Sequence, residues 1–152
     1  TVMMEAEKLK QASMQGNVRA LVDAMPARVL KKLGANRSAL IERVKKIANL
    51  IRNKQYRYEK YTISRPKRVY RFNGTLMAIL PTESIVTHNI KNKKIRIHSK
   101  GYLLALKYSA DHKWYFLNGR GFKNKRLFAA LIDNVPTNIE LPKVIVTHIK
   151  QK

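Results

Sequence analysis

The sequence predicts an α+β fold in which N-terminal helices pack on an antiparallel sheet. Two observations carry this prediction. Up to residue 54 the apolar residues recur at helical spacing, and after it β-branched and aromatic residues alternate with polar ones between turn-forming residues. A chain of 152 residues is long enough to bury one core. We therefore expect a single domain over 1–152, helical over about 4–54 and mainly sheet over 56–149.

The helical part divides at residues that cap or break helices. The spacing predicts a helix over 4–15 that ends at Gly16, because glycine readily adopts the left-handed conformation at a helix C-terminus. Asn17 can cap a second helix, which Pro26 divides. From Asn36 an amphipathic helix follows, with apolar residues along one face. These residues are Leu40, Ile41, Val44, Ile47, Ala48 and Ile51.

The sheet part is predicted from short β-rich runs separated by turns. Asn73 and Gly74 form the dipeptide that most strongly indicates a two-residue hairpin, and 90–94 and 109–113 indicate further turns. A short helix is predicted over 124–134, and an extended edge segment around Pro142, which cannot donate to a ladder. The predicted strands are Tyr56–Ser64, Val69–Phe72, Leu76–Leu80, Ser84–Asn89, Lys94–His98, Tyr102–Ser109 and Trp114–Asn118.

The segment "YSADHKWYFLNGRG" raises the question of a catalytic site. Asp111 and His112 are adjacent, so their side chains rarely converge on one atom, and aspartate is a frequent turn residue. The glycines at 119 and 121 lack the spacing of a phosphate-binding loop. We therefore interpret the segment as two turns that flank a strand, and Trp114 and Phe116 are expected to share its core face.

A family resemblance becomes visible along the whole chain. After the Ala12–Asn17 stretch come "KKLGANRSALIERV", "RPKRVYRFNGTLMAILPTE", "GYLLALKYSADHKWYFLNGRG", "LFAALIDNVP" and "IELP". In this order they resemble small nuclear transport factor 2-like domains over most of 5–142, most distinctively over Tyr102–Phe116. The sequence departs from that family at Lys113 and Asn118, where related sequences often carry small or acidic residues, and it is far more basic.

The resemblance implies a cone, in which a curved antiparallel sheet wraps around the helices and leaves a cavity between them. Dimerisation through the open sheet face is common on this scaffold, which makes that face a candidate surface for a homodimer. From the helical stripes and the aromatic-rich sheet part, we expect one set of strand residues to face the helix that begins at Asn36. The strand residues are Leu104, Leu106, Trp114 and Phe116, and the helix residues are Leu40, Val44 and Ile47.

The charge is the strongest indication of function. The chain has 32 Lys and Arg against 9 Asp and Glu, a formal net charge of +23, which favours a polyanion as partner. The segment Arg52–Arg71 holds eight basic residues and Lys91–Lys100 holds five with no acid. We predict that these residues bind DNA or RNA through the phosphates, without sequence specificity. The predicted nucleic-acid-binding residues are Arg52, Lys54, Arg57, Lys60, Arg65, Lys67, Arg68, Arg71, Lys91, Lys93, Lys94, Arg96 and Lys100.

The tyrosines among these basic residues have two interpretations. Exposed rings could stack on unpaired bases, whereas buried rings would belong to the sheet core. The four in question are Tyr56, Tyr58, Tyr61 and Tyr70. For Tyr58 and Tyr61 the core interpretation has at least equal weight.

No catalytic, metal or cofactor site is predicted. The histidines lack a metal-ligand spacing and we expect them to be solvated; they are His88, His98, His112 and His148. A toxin or effector domain with ribonuclease activity is the alternative function. It would require His88, His98, Lys94, Arg96 and Tyr102 to surround one phosphate.

Composition also suggests a setting. The chain lacks cysteine, which fits a reducing compartment, and no apolar run approaches the ~20 residues of a membrane span, so we expect no membrane partner. Small basic proteins packed with DNA inside the heads of large tailed phages have this character. Thr1 fits the removal of a leader by a processing protease, or a trimmed chain. The expected location is the virion interior and then the host cytoplasm, or otherwise the cytoplasm.

Overall fold

The computed structural model describes residues 1–32, 37–121, 125–136 and 138–151. It has an α+β fold, with helices first and an antiparallel sheet second, as predicted. The described helices are α1 (Val2–Gln15), α2 (Val18–Asp23), α3 (Ala27–Lys32), α4 (Arg37–Arg52) and α5 (Lys125–Leu131). Within the described ranges, none of them is both long and apolar enough to cross a membrane.

The helix boundaries follow the residues that predicted them. Gly16 ends α1 with a left-handed φ of 67°, and the Asn17 side chain accepts a hydrogen bond from the Ala20 N–H of α2 at 3.1 Å. Pro26 is buried between α2 and α3. A Cβ atom on Gly16 would lie 3.1 Å from the carbonyl oxygen of Ala48, so glycine also lets α1 approach α4 closely. Asn36 and Asn124, where two helices were predicted to begin, lie outside the described residues.

The sheet is organised around one long hairpin made by its two central strands, β3 and β4. β2 and β1 pair with successive parts of β3, while β5 and β6 pair with successive parts of β4. The strands are β1 (Tyr56–Ile63), β2 (Val69–Phe72), β3 (Thr75–Ile90), β4 (Lys93–Lys107), β5 (Tyr115–Asn118) and β6 (Ile145–Gln151). β6 lies at an edge of the sheet, as predicted for the segment that follows Pro142.

This pairing divides the sheet into two halves. The core half contains β2, β5, and residues 75–81 and 101–107. The hairpin half contains β1, β6, and residues 82–90 and 93–100, and ends at the β3–β4 turn.

Two predicted breaks do not exist, because β3 and β4 each join two predicted strands. A break was expected at Pro81, yet Pro81 lies inside β3 opposite Tyr102. The Pro81 carbonyl accepts a hydrogen bond from the Ser64 N–H at 2.8 Å, just past the end of β1. Since the nitrogen of a strand residue points to the same side as its carbonyl, the missing donor faces the gap between β1 and β2 and leaves the ladder to β4 intact.

The core half is covered on both faces. One face of the sheet packs against α3 and α5, and we call it the α5 face; the opposite face, toward α1, is the α1 face. On the α5 face, Met77, Leu104 and Leu106 are buried with side chains from α3 and α5. On the α1 face, Leu80 and Ala105 are buried with Ala6 of α1. Helices therefore lie on both sides of this end of the sheet.

The predicted facing of the β4–β5 residues is wrong in two respects: they do not all share one face, and neither described core cluster contains a residue of α4. Phe116 pairs with Ala105, and therefore lies on the α1 face, opposite to Leu104. Trp114 is half-buried and packs on the same α1-face cluster. The α4 residue Ile47 is 52 % exposed, and the side chain of Leu40 lies outside the described residues. The error arose from treating one face of the sheet as the only buried one.

Candidate nucleic-acid interface

Alternation along the strands gathers basic residues on one surface of the hairpin half. Every second residue of β4, counted from Leu104 toward the hairpin turn, lies on the α5 face. β1 adds two more to the same face, because Arg57 pairs with Thr87 and Lys60 pairs with Ile85. We name this surface the basic strand face; it consists of Arg57, Lys60, Lys94, Arg96, His98 and Lys100 with Glu59 and Glu83.

This surface is open to solvent. The side chains of Lys60 and Lys100 are 51 % and 60 % exposed. On the neighbouring edge strand β6, Ile145 and Ile149 are also about half exposed. A large polyanion can therefore reach the whole row of cations.

Glu83 holds three of these residues together. Its carboxylate oxygens lie 2.7 Å from Lys60 Nζ, 3.1 Å from His98 Nε2 and 3.8 Å from Lys100 Nζ. The hydrogen bonds from Lys60 and His98 lower the pKa of Glu83 to about 2. Glu83 is therefore ionised at neutral pH and fixes its partners in place.

Glu59 holds Arg96 in the same way, through a contact between its carboxylate and the guanidinium. A β-bulge at Glu59 shifts the β1 register, and the carboxylate accepts hydrogen bonds from Thr87 Oγ1 at 2.6 Å and from Arg96 Nε at 3.1 Å. The Thr87 bond first, and Arg96 second, lower the pKa of Glu59. With five Lys and Arg against two carboxylates, the basic strand face has a net charge of +3 when His98 is neutral.

The hairpin turn extends the positive surface. Lys91 and Asn92 both have positive φ, as a two-residue turn requires, and the predicted turn at 90–94 is confirmed. Lys91 and Lys93 are exposed at this turn. Lys54 lies beside it, since its carbonyl accepts a hydrogen bond from Asn89 Nδ2 at 3.4 Å.

The remaining predicted binding residues lie elsewhere. Arg52 donates from Nη2 to the carbonyl of Gly16 at 3.1 Å, which ties the end of α4 to the end of α1. Arg71 is exposed on the α1 face of β2, and the other three occupy the exposed β1–β2 connection. Those three are Arg65, Lys67 and Arg68. Of the thirteen predicted residues, the structure thus places five on the basic strand face, three at the adjoining hairpin turn and five elsewhere.

The tyrosines do not share that surface. Tyr56, Tyr58 and Tyr61 lie on the opposite, α1 face of β1, where adjacent rings are 5.9 Å and 5.5 Å apart. Burial raises the pKa of each. Tyr70 packs against the core on the α5 face of the core half. Stacking of these rings on bases held by the basic strand face is therefore excluded by their position.

The question raised by Asp111 and Gly119 is answered in favour of turns. The Asp111 N–H donates to the carbonyl of Tyr108 at 3.0 Å, and His112 is exposed. Gly119 packs so closely on the ring of Tyr102 that a Cβ atom would lie 2.5 Å from it. The glycine is thus required by packing.

The residues that the ribonuclease alternative requires around one phosphate do not lie together. His88 lies on the α1 face, opposite to His98, and the side chain of Tyr102 is buried in the core. Sequence reasoning missed the contact between His98 and Glu83, because it depends on the β3–β4 register. Among the described residues, no group of three or more His, Asp or Glu side chains could hold a metal ion.

Comparison of this chain with protein-family models, with curated proteins and with solved structures found no match. The nuclear transport factor 2-like cone therefore stays a prediction, while the α+β architecture with an antiparallel sheet is shown by the structure.

Proposed function

We propose that this protein binds nucleic acid without sequence specificity, by neutralising phosphates with the basic strand face. The observation that supports this most is the row of cations along β4. Lys100 lies six residues after Lys94, and this length of strand spans about 20 Å. Over that length one strand of B-form duplex carries about six phosphates, spaced ~3.4 Å apart along the axis.

The residue types favour backbone contacts over base contacts. Lys and Arg neutralise phosphates and release counterions, and these contacts carry no sequence information. Within the described ranges, this surface is built from strand residues of β1, β3 and β4, and no helix contributes to it. DNA and RNA are both suitable partners, and packaging with DNA inside a phage head stays a prediction from composition.

Titration of labelled random duplexes at several salt concentrations tests this function. If about six phosphates are contacted, a plot of log affinity against log salt concentration should have a slope of about −5. Affinity then drops on the order of a thousandfold between about 50 and 200 mM salt, and changes little with sequence. A slope near zero, or micromolar or weaker binding at low salt, would show that the charge serves another partner.

Ribonuclease activity is the second candidate, and the His98–Glu83 contact of 3.1 Å beside Lys60 favours it. Against it, the carboxylate of Glu83 already accepts hydrogen bonds from Lys60 and His98, and its pKa is lowered to about 2, which makes it a weak general base. We expect single-stranded and duplex RNA to remain intact on incubation with the protein. Cleavage that His98→Ala abolishes without unfolding the chain would reverse this conclusion.

A further inference from the structure

A polar cleft lies on the α1 face of the hairpin half, on the other side of the sheet from the basic strand face. Its floor is formed by residues of β3 and β4, including Ser84, Ser99 and Gly101. The tyrosines of β1 form one wall, and Arg120 forms the other. The cleft has a volume of about 90 Å³ and is partly enclosed.

Two glycines shape this cleft. Gly101 leaves the floor without a side chain, and the nearest neighbours of a Cβ atom there would be Thr82 and Val144, at 3.8 Å. Gly119 packs on the Tyr102 ring and begins the 3₁₀ turn that carries Arg120. The Arg120 N–H donates to Asn118 Oδ1 at 3.0 Å, and its guanidinium donates to Ser99 Oγ.

The lining has the chemistry of an anion site. It includes the Arg120 guanidinium, several hydroxyl groups and no carboxylate, while the side chain of the lining residue Lys100 lies on the other face of the sheet beside Glu83. Burial raises the pKa of Tyr56 and Tyr58, the two tyrosines on which the Arg120 charge acts, so their hydroxyls stay protonated and can donate hydrogen bonds at neutral pH. No hydrogen bond joins either hydroxyl to another of the described residues, which leaves both available to a ligand.

The size of the cleft limits the ligand. A buried water needs roughly 10–15 Å³ of such space, so 90 Å³ holds a group several waters in size, but not a duplex. A tetrahedral oxyanion with a few waters fits this description. Arginine suits such a ligand because two of its N–H groups can bind two oxygens of one phosphate.

We infer that the cleft binds a phosphate monoester group, held by Arg120 with Ser99 and the β1 tyrosine hydroxyls. This site is separate from the basic strand face and does not depend on the proposed function. The group could belong to a free nucleotide or to the 5′-terminal phosphate of a nucleic-acid strand.

Calorimetric titration with inorganic phosphate tests the site. Arg120→Gln removes the charge, and Gly101→Val fills the floor without a strained backbone. Each should weaken phosphate binding by about tenfold or more, as expected for the loss of charge-assisted hydrogen bonds. Arg43→Gln, an exposed change on α4, is the matched control and should leave binding unchanged. Absence of binding to the wild-type chain, or equal loss in Arg43→Gln, would overturn the inference.

Short oligonucleotides distinguish the two sources of the phosphate. If the ligand is a strand terminus, a 5′-phosphorylated oligonucleotide binds more tightly than its 5′-hydroxyl counterpart, and Arg120→Gln removes the difference. If both bind equally while inorganic phosphate still binds, the ligand is a free phosphate compound. Substitutions in the basic strand face should weaken both oligonucleotides but preserve phosphate binding, so failure of the proposed function is distinguishable from failure of this site.

Discussion

The two halves of the β3–β4 hairpin contrast sharply, although the same two strands run through both. In the core half, Met77, Leu80 and Leu104 are completely buried, because helices cover both faces. In the hairpin half, Lys94 and Lys100 lie on an exposed face of the same strand as Leu104. One strand thus serves as core at one end and as a charged surface at the other.

The residue pattern explains where the change occurs. Leu103 to Leu106 is a continuous apolar run, which is typical of a strand buried on both faces. In contrast, the sequence of 93–100 is "KKIRIHSK". Its basic residues alternate with isoleucines whose side chains lie on the α1 face. The core half therefore should set the stability of the molecule, and the hairpin half its binding.

The largest difference should appear in stability. Leu104→Ala, at 0 % exposure, should lower the free energy of unfolding by about 2–5 kcal/mol through loss of buried contacts and a residual cavity. Ile149→Ala, on the half-exposed edge of the hairpin half, should cost less than about 1 kcal/mol. Chemical denaturation of both variants measures this. An equal loss of unfolding free energy in the two variants would contradict the contrast between the two halves.

A smaller effect is expected from removing an acid from the hairpin half. Glu83 competes with phosphate for Lys60 and Lys100, so Glu83→Gln should raise affinity for duplex DNA and steepen the salt slope by about one unit for each phosphate gained. Glu42→Gln on α4, which also removes one exposed carboxylate paired with a lysine, is the control. If both variants gain equally, net charge rather than this surface governs binding.

The smallest effect concerns acid stability. Because the pKa of Glu83 is lowered to about 2 from an ordinary 4.5, its ionised form stabilises the folded chain above pH 4.5. That contribution is lost as the pH falls through this range toward 2. The stability difference between wild type and Glu83→Gln should therefore shrink between pH 5 and pH 2 in urea unfolding. A difference that is constant with pH would contradict the carboxylate's role.

Sequence reasoning succeeded where structure is decided locally. Gly16 and the Asn73–Gly74 turn act through their own backbone conformation, and the Asn17 side chain acts on an N–H three residues away, so their effect is visible in a short window. Pro81 was wrongly predicted to end a strand, because whether a strand tolerates proline there depends on where β1 ends.

The candidate site was only partly predictable for the same reason. The charge density was visible, but which cations share a face depends on strand register. Glu83 and His98 lie on the two neighbouring strands β3 and β4, and Glu59 on β1 contacts Arg96 on β4 across the intervening strand β3. Such contacts between residues distant in sequence cannot be derived from spacing along the chain.

One measurement tests most directly whether the hairpin half binds nucleic acid. Two triple variants each remove three positive charges. The first changes Lys94, Arg96 and Lys100 to Gln on the basic strand face, and the second changes Arg43, Lys45 and Lys46 to Gln on the exposed surface of α4. Salt-dependent titration of a random duplex should show a slope about 2 to 3 units shallower for the first variant and nearly unchanged for the second. Equal slopes for the two variants would contradict the account, because binding would then follow net charge and not this surface.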